Sequence, residues 1–280
     1  MKIGEHVYKL ILLDTNALRE IVTNTKFAGK GFLETFFSSS TLYAPCFSIY
    51  NVIELMPYKD IFDKFVEFFS LIPCFVTFPA KNIFQEEYKY YVSGKPFEIT
   101  KQIVYALSPF SVDKNFHCKE FFKHLLDDRS LTETVRYEVE QFPSKANEWE
   151  SKRNDSMQML KKMQLPANMI DAKFYKAQEK ETVIKDLRNF GIPISSSTDI
   201  AKLPAARIME YSQFVRIYQT KKKIQPNDVM DIFISSITPY VDAVITESFQ
   251  ADVYKKSKNL IPQMKKLEIY TLKDIRTNTN

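Results

Sequence analysis

The chain has 280 residues, of which 45% are hydrophobic and 26% charged, and this composition is typical of a globular protein and excludes a disordered chain. Its formal net charge of +5 is compatible with a polyanionic partner without requiring one. The five glycines form no GxGxxG, GxxxxGK[ST] or GxSxG motif, which excludes phosphate-binding loops and the nucleophile elbow as sequence signals.

The cysteines and histidines limit the chemistry further. Three cysteines without a CxxC pair argue against a disulfide framework and favour a reducing compartment. The close group of His117, Cys118 and His124 lacks the ligand spacing of a zinc site. The N-terminal apolar run is too short for a signal peptide, and no stretch approaches the roughly 20 apolar residues of a membrane span. We therefore expect a cytoplasmic protein that makes no contact with a membrane.

The first third of the chain alternates strands and helices. Residues 7–13 predict a buried strand that ends at Asp14, and Asp14 or Asn16 would cap the helix that follows. The later elements of this part are a helix over residues 32–37, a loop over 38–40, a strand over 42–44, a helix that begins at Ser48 and carries Glu54, a helix over 61–72 and a strand over 74–78.

The middle of the chain, residues 96–225, is more polar and mostly helical in pattern. Its most polar part, residues 145–188, mixes basic and acidic side chains at a density typical of solvated helical faces. From residue 205 an apolar stripe at helical spacing leads to Lys221, Lys222 and Lys223. We expect this segment to be a large helical insertion.

The alternation of strands and helices returns after Pro226. A helix is predicted from there to about residue 237, then a strand over 243–246, a helix over 247–257 and a strand over 267–272. Because both ends of the chain alternate in this way, we predict an α/β/α sandwich with a mainly parallel central sheet, built from residues 1–95 and 226–280.

Acidic residues lie where ligands bind in open parallel sheets, at the carboxyl ends of strands. Asp14 ends the first strand, and Glu247 directly follows Thr246 at the end of another. Asp231 lies in the first turns of the helix before that strand, and Glu54 on the helix after the second strand. Four converging carboxylates would repel one another unless they bound a divalent cation such as Mg²⁺ or Mn²⁺. A site of this kind is suited to phosphodiester hydrolysis, since it orients a water and stabilises charge at phosphorus.

Four motifs, in this order, resemble those of PIN-domain nucleases. They are ILLDTNAL (11–18), Ser48 with VIEL (52–55), NDVMDIFISS (227–236) and YVDAVITE (240–247). The resemblance covers roughly residues 7–95 and 226–273 and leaves out the middle. It implies a PIN-like fold and a Mg²⁺- or Mn²⁺-dependent nuclease that prefers RNA to DNA. The residues it assigns to the metal are Asp14, Glu54, Asp231 and Glu247.

The last motif departs from the family pattern. Many members place the fourth acid two residues after the Thr, where this chain has Ser248, whereas Glu247 follows the Thr directly. Either the longer Glu247 side chain reaches the metal or the fourth ligand is missing. Asp242 begins this strand, about 13 Å from Thr246 at roughly 3.3 Å per residue, so we expect it to be structural.

Neighbouring residues have two interpretations each. Asp228 shares a helical face with Asp231 and is a further candidate metal ligand, although its place at the helix start favours capping. Asn16 and Thr246 are candidates for positioning a water or a ligand. Asp14 by itself could be a helix cap.

Candidate substrate-binding residues are basic or aromatic. Lysines near the acids could guide phosphates, although lysines at helix ends are commonly solvated. They are Lys221, Lys222, Lys223, Lys255 and Lys256. Tyr88, Tyr90 and Tyr91 could stack on the bases of a single strand, but such residues are more often half-buried.

Two alternatives stay open. The displaced fourth acid favours a non-catalytic PIN-like module that binds nucleic acid or protein. A toxin or defence effector nuclease restrained by a regulatory protein partner would use the same chemistry, with the helical insertion as docking surface or gate. The sequence also leaves self-association into a homo-oligomer open.

Overall fold

The structure, a computed structural model, describes residues 1–3, 5–38, 42–99, 102–127, 130–164, 166 and 170–276. The strands are β1 (Lys2–Ile3), β2 (His6–Val7), β3 (Lys9–Leu13), β4 (Tyr43–Ser48), β5 (Cys74–Thr77), β6 (Val104–Leu107), β7 (Ala243–Thr246) and β8 (Glu268–Thr271). The helices are α1 (Thr15–Thr23), α2 (Lys30–Phe36), α3 (Ile49–Leu55), α4 (Lys59–Phe69), α5 (Ala80–Val92), α6 (Cys118–Asp127), α7 (Ser130–Glu140), α8 (Phe142–Lys162), α9 (Ala172–Asn189), α10 (Pro204–Tyr218), α11 (Pro226–Ser235), α12 (Ser248–Ser257) and α13 (Leu272–Arg276). Residues 39 and 40 of the predicted loop lie outside the described residues.

Six of these strands form one sheet in the order β6-β5-β4-β3-β7-β8. Neighbouring strands run parallel except β6, which pairs antiparallel with β5. The predicted α/β class with a mainly parallel sheet is confirmed, and the arrangement is compatible with an α/β/α sandwich. The strand β6 differs from the expectation, because it lies within the segment whose pattern predicts helices.

The central strand β3 has an apolar sequence because it is covered on both faces. Residues 10–13 are each at most 2% exposed, as expected for a strand between two parallel neighbours. The predicted strand begins two residues too early: Val7 pairs in the small β1–β2 hairpin and is 70% exposed. The strand β4 extends further than predicted, to Ser48, and all six of its residues are buried.

The sheet extends to both sides of the central strand β3. From β3 the chain proceeds to β4 and β5 on one side, and β7 and β8 add on the other side. Helices α3 and α4 contact α1, whereas α5, α11 and α12 contact α10. Such a switch point opens a crevice at the carboxyl ends of the central strands, and this is where open α/β sheets bind ligands.

The helix α10 is the centre of the middle segment. It contacts α8, α9 and α11, and its residues from Pro204 to Ile217 are all buried. Its pattern predicts only an apolar stripe, but polar residues on its other faces are buried as well. Arg207, for example, donates from Nε to Oε1 of Glu179 on α9 at 2.6 Å. These polar side chains are buried because helices surround α10 on several sides.

Candidate functional site

Asp14 links the carboxyl ends of the two central strands. It follows β3 and is the N-cap of α1, where its Oδ1 accepts a hydrogen bond from the backbone N–H of Ala17 at 2.7 Å. Its Oδ2 accepts from the backbone N–H of Glu247 at 2.9 Å. Because β3 and β7 are parallel neighbours, the residues that follow them lie side by side. The capping interpretation of Asp14 is confirmed, and it coexists with a position at the sheet edge.

Glu54 is held at this edge by residues of α1 and α3. Its Oε2 accepts a hydrogen bond from the Thr15 hydroxyl at 2.5 Å, and that hydroxyl accepts from Nδ2 of Asn51 at 2.9 Å. On the other side, Oε1 lies 3.9 Å from Nη2 of Arg19. Asn51 also accepts a hydrogen bond from the backbone N–H of Ser48, which caps α3. The capping of α3 and the orientation of Glu54 are therefore coupled.

Asp231 lies half-buried on α11 and is influenced by the other acids. Burial raises the pKa of Asp231 well above its usual range. Nearby negative charges raise it further, and these belong to Asp14, Glu54 and Asp228. The guanidinium of Arg216 acts in the opposite direction. Carboxylates from separate elements thus meet closely enough for their charges to oppose each other's ionisation.

The pKa of Asp14 is also raised, to about 6. Burial is the main cause, and the neighbouring charge of Glu247 adds to it. Hydrogen bonds from Thr246 and from the backbone N–H groups of Ala17 and Glu247 act against this rise, because they stabilise the charged form. Thr246 therefore lies beside Asp14, and its role toward a ligand stays a prediction.

Glu247 lies at the same edge but is exposed to solvent. It is the N-cap residue of α12, and its Oε1 accepts a hydrogen bond from Nδ2 of Asn16 at 2.5 Å. Ser248, at the position where the family pattern has its acid, is the first residue of α12. The structure thus brings Glu247 and Asn16 next to Asp14, while a metal-binding role for Glu247 stays a prediction.

Asp228 has both carboxylate oxygens engaged within the protein. Oδ1 lies 2.6 Å from Nη2 of Arg216, and Oδ2 accepts from the backbone N–H of Gln225 at 2.8 Å in a capping box. The Arg216 guanidinium also stacks on the ring of Phe249, 4.2 Å from its centroid. These contacts agree with the capping interpretation of Asp228. Through them, Asp228 positions the start of α11, the helix that carries Asp231.

The structure adds residues that the sequence pattern did not indicate. Arg216 and Arg19 place cations beside the acids. Tyr254 lies buried near them: burial is the main cause that raises its pKa, and the charges of Asp231 and Asp14 raise it further. No motif marks these three side chains, although each lies on a helix or helical stripe that the sequence pattern predicts, because only the packing of α1, α10 and α12 brings the side chains to the acids.

The candidate lysines differ in position. Lys221, Lys222 and Lys223 are exposed in the connection from α10 to α11, a few residues before Asp228. Lys255 and Lys256 are exposed in the last turn of α12. At about 1.5 Å per helical residue, they lie roughly 12 Å along the helix from its start beside Glu247. The first group therefore remains the better candidate for guiding phosphates to the acids.

Comparison of the chain with family models, curated proteins and solved structures returned no match. Among the described helices, none is long and apolar enough to cross a membrane. In the described part of the chain, no three His, Cys, Asp or Glu side chains are grouped in a geometry ready for a metal ion. The carboxylates of Asp14, Glu54 and Glu247 instead accept hydrogen bonds from the protein.

Proposed function

We propose that this protein is a metal-dependent nuclease with a PIN-like fold that prefers RNA to DNA. One observation carries the proposal: Asp14 and Glu247 meet at the carboxyl ends of β3 and β7, where the Glu247 backbone N–H donates to Asp14 at 2.9 Å, and Asp231 lies near enough for the charges of Asp14 and Glu54 to raise its pKa. Such an accumulation of negative charge destabilises a fold unless a cation compensates it. Carboxylate groups are the ligands that divalent cations such as Mg²⁺ prefer.

The donor set fits a hard cation. Asp14, Glu54 and Asp231 offer carboxylate oxygens, the ligands that Mg²⁺ and Mn²⁺ prefer, and Glu247 lies beside Asp14 as a fourth. Two of these side chains would have to turn from the hydroxyl of Thr15 and the amide of Asn16 toward the cation. When bound, the cation would activate a water and stabilise charge at the phosphorus.

Neighbouring residues prepare the site for that chemistry. Arg216 holds Asp228 and, through it, the start of the helix that carries Asp231. Thr15 and Asn51 hold Glu54 at the sheet edge while no cation is bound, so that it starts beside the position that the cation would take. Fixed neighbours of this kind keep liganding side chains in a small range of positions, as in metal sites generally.

The preference for RNA rests on the resemblance to PIN-domain nucleases, whose four motifs occur here in order. The mainly parallel sheet, the contact of Asp14 with the Glu247 backbone and the influence of the Asp14 and Glu54 charges on Asp231 support that resemblance. The exposed Lys221, Lys222 and Lys223 supply positive charge close to the helix that carries Asp228 and Asp231.

A cleavage assay tests the proposal. End-labelled single-stranded RNA and DNA are incubated with the protein in Mg²⁺, in Mn²⁺ or in EDTA. We expect cleavage with either cation, none in EDTA, and a rate lower by at least about a hundredfold in Asp14→Asn, Glu54→Gln and Asp231→Asn. Asp252→Asn is the matched control, because Asp252 is an exposed acid of α12. We expect that variant to cleave like the wild type.

A second candidate is the non-catalytic binding module. The exposed Glu247 and the hydrogen bonds that Asp14 and Glu54 already accept from the protein favour it. If the wild-type protein binds RNA but leaves it intact with every cation, the nuclease proposal is wrong and the binding module replaces it.

A further inference from the structure

A second cavity lies away from the acids. It has a volume of about 500 Å³ and lies between the end of α5, the segment after it and the start of α10. Tyr240, which lines it, precedes β7, whereas Glu247 follows that strand. The four residues of β7, at roughly 3.3 Å each, therefore separate the cavity from the carboxyl edge of the sheet. Its size is that of a site for a small organic ligand.

Aromatic rings form one wall of this cavity. Phe97 packs against Tyr240 with 4.1 Å between ring centroids and against Tyr90 with 5.5 Å. All three rings line the cavity and are half-buried, so part of each remains accessible. Flat rings presented in this way can stack on a planar heterocycle such as a nucleobase.

A buried carboxyl group with a free oxygen also lines the cavity. Glu87 is 1% exposed, and its Oε1 accepts hydrogen bonds from the Ala205 backbone N–H at 2.8 Å and from the Tyr240 hydroxyl. Its Oε2 is buried and has no hydrogen-bond partner among the described residues. Capping α10 accounts for the first oxygen and leaves the second unused. A buried polar atom without a partner is costly, and a polar ligand group would remove that cost.

Two lysines complete the chemistry of the cavity. Lys95 and Lys202 line it and are exposed, so their ammonium groups can reach its opening. Ammonium groups bind phosphate oxygens well. They would repel an organic cation, which the aromatic wall alone would otherwise suit.

We propose that this cavity binds a nucleotide, with the base against Phe97 and Tyr240, the base edge at Glu87 and the phosphate at Lys95 and Lys202. A free nucleotide and the terminal nucleotide of an RNA strand share this chemistry. The site does not depend on the nuclease activity, because none of its residues belongs to the carboxylate site.

Calorimetric titration of the full chain in EDTA tests the site, with AMP, GMP, CMP and UMP as separate probes. We expect at least one to bind, and binding to weaken about five- to a hundredfold in Phe97→Ala through the loss of stacking. The double variant Lys95→Ala with Lys202→Ala changes only exposed side chains and should also weaken binding. Asp14→Asn and Phe27→Ala, a change of an exposed ring outside the cavity, should bind like the wild type.

Several results would overturn the nucleotide site. The first is that no mononucleotide binds at concentrations up to about 10 mM. The others are that ribose 5-phosphate binds as tightly as the mononucleotide, that tetramethylammonium displaces the mononucleotide, or that Asp14→Asn abolishes binding while Phe97→Ala leaves it unchanged. A short single-stranded RNA then identifies the source of the ligand. Competition with the mononucleotide indicates a strand terminus, and its absence indicates a free nucleotide.

Discussion

At the scale of single residues, Asp14 serves the fold and the candidate site with one carboxylate. It caps α1 through Ala17 and accepts the backbone N–H of Glu247, which joins β3 to β7. Asparagine is also a good N-cap residue, so Asp14→Asn keeps an oxygen for the helix while removing the negative charge. Because the amide nitrogen cannot accept the Glu247 backbone N–H, urea unfolding of that variant accompanies the cleavage assay and separates a lost charge from a lost fold.

Glu87 gives a residue-scale prediction about pH. Burial raises its pKa from the usual 4.5 to about 8, so the folded protein retains a proton that the unfolded chain has released. The stability contributed by this group is therefore greatest at low pH and falls as pH rises from about 4.5 to about 8. The expected slope is about 1.4 kcal/mol of unfolding free energy per pH unit.

Urea unfolding at several pH values measures this effect. Glu87→Gln retains an oxygen for Ala205 and Tyr240 but does not titrate, so it should lack this part of the pH dependence. Glu86→Gln, a change of the adjacent acid on α5, serves as control and should keep it. An unchanged slope in Glu87→Gln would show that Glu87 is already ionised across this range.

At the scale of elements, α10 connects the middle segment to the candidate site. Near its start Arg207 pairs with Glu179 of α9, and near its end Arg216 pairs with Asp228 of α11. The side chains of all four residues are at most 10% exposed. Buried pairs of this kind hold neighbouring helices in register, because a charge left without its partner is expensive.

Breaking the first pair gives an element-scale prediction. Arg207→Ala leaves Glu179 buried without its partner and also removes the donor to the Leu260 carbonyl, so it should cost about 3–5 kcal/mol of unfolding free energy. Arg207→Met combined with Glu179→Leu should cost less than Arg207→Ala, since no charge is left. Urea unfolding measures both, with Lys180→Ala as an exposed control on α9. Equal costs for the single and double variants would contradict this role of the pair.

At the scale of the whole molecule, the strand order decides where the acids meet. The chain builds the sheet outward from β3 in both directions, so residues separated by more than 200 positions end at one edge. The middle segment contributes the strand β6 and the central helix α10 to the same body. It is therefore integrated with the sheet through these two elements.

The position of the lysines gives a whole-molecule prediction, which rests on RNA as the proposed substrate. RNA affinity, measured by fluorescence anisotropy in EDTA, should fall as salt rises. The reason is that binding of the protein releases counterions from the phosphates, and a high salt concentration opposes this release. Replacing Lys221, Lys222 and Lys223 with alanine should reduce the slope of log affinity against log salt by up to about 0.7 per lysine. Replacing Lys255 and Lys256 should reduce it less. Equal slopes in the triple variant and the wild type would exclude Lys221, Lys222 and Lys223 from phosphate binding.

Short-range patterns were enough to predict much of the fold and the order of the acids along it. The strand β7 has its predicted bounds, α3 is capped by Ser48, and Asp14 follows the first central strand. These features depend on hydrophobic periodicity and on capping hydrogen bonds between residues a few positions apart. Each of these features can therefore be predicted from a stretch of about ten residues.

The sequence by itself thus determined the α/β class and the candidate carboxylates, whereas the tertiary structure decided which other side chains surround them. The burial of α10, the pairing of Arg216 with Asp228 and the strand β6 all needed the folded chain. The cavity around Glu87 and Phe97 likewise joins α5, the segment after it and the start of α10. The physical reason is that burial and ion pairing depend on contacts between distant segments, and local periodicity carries no information about those contacts.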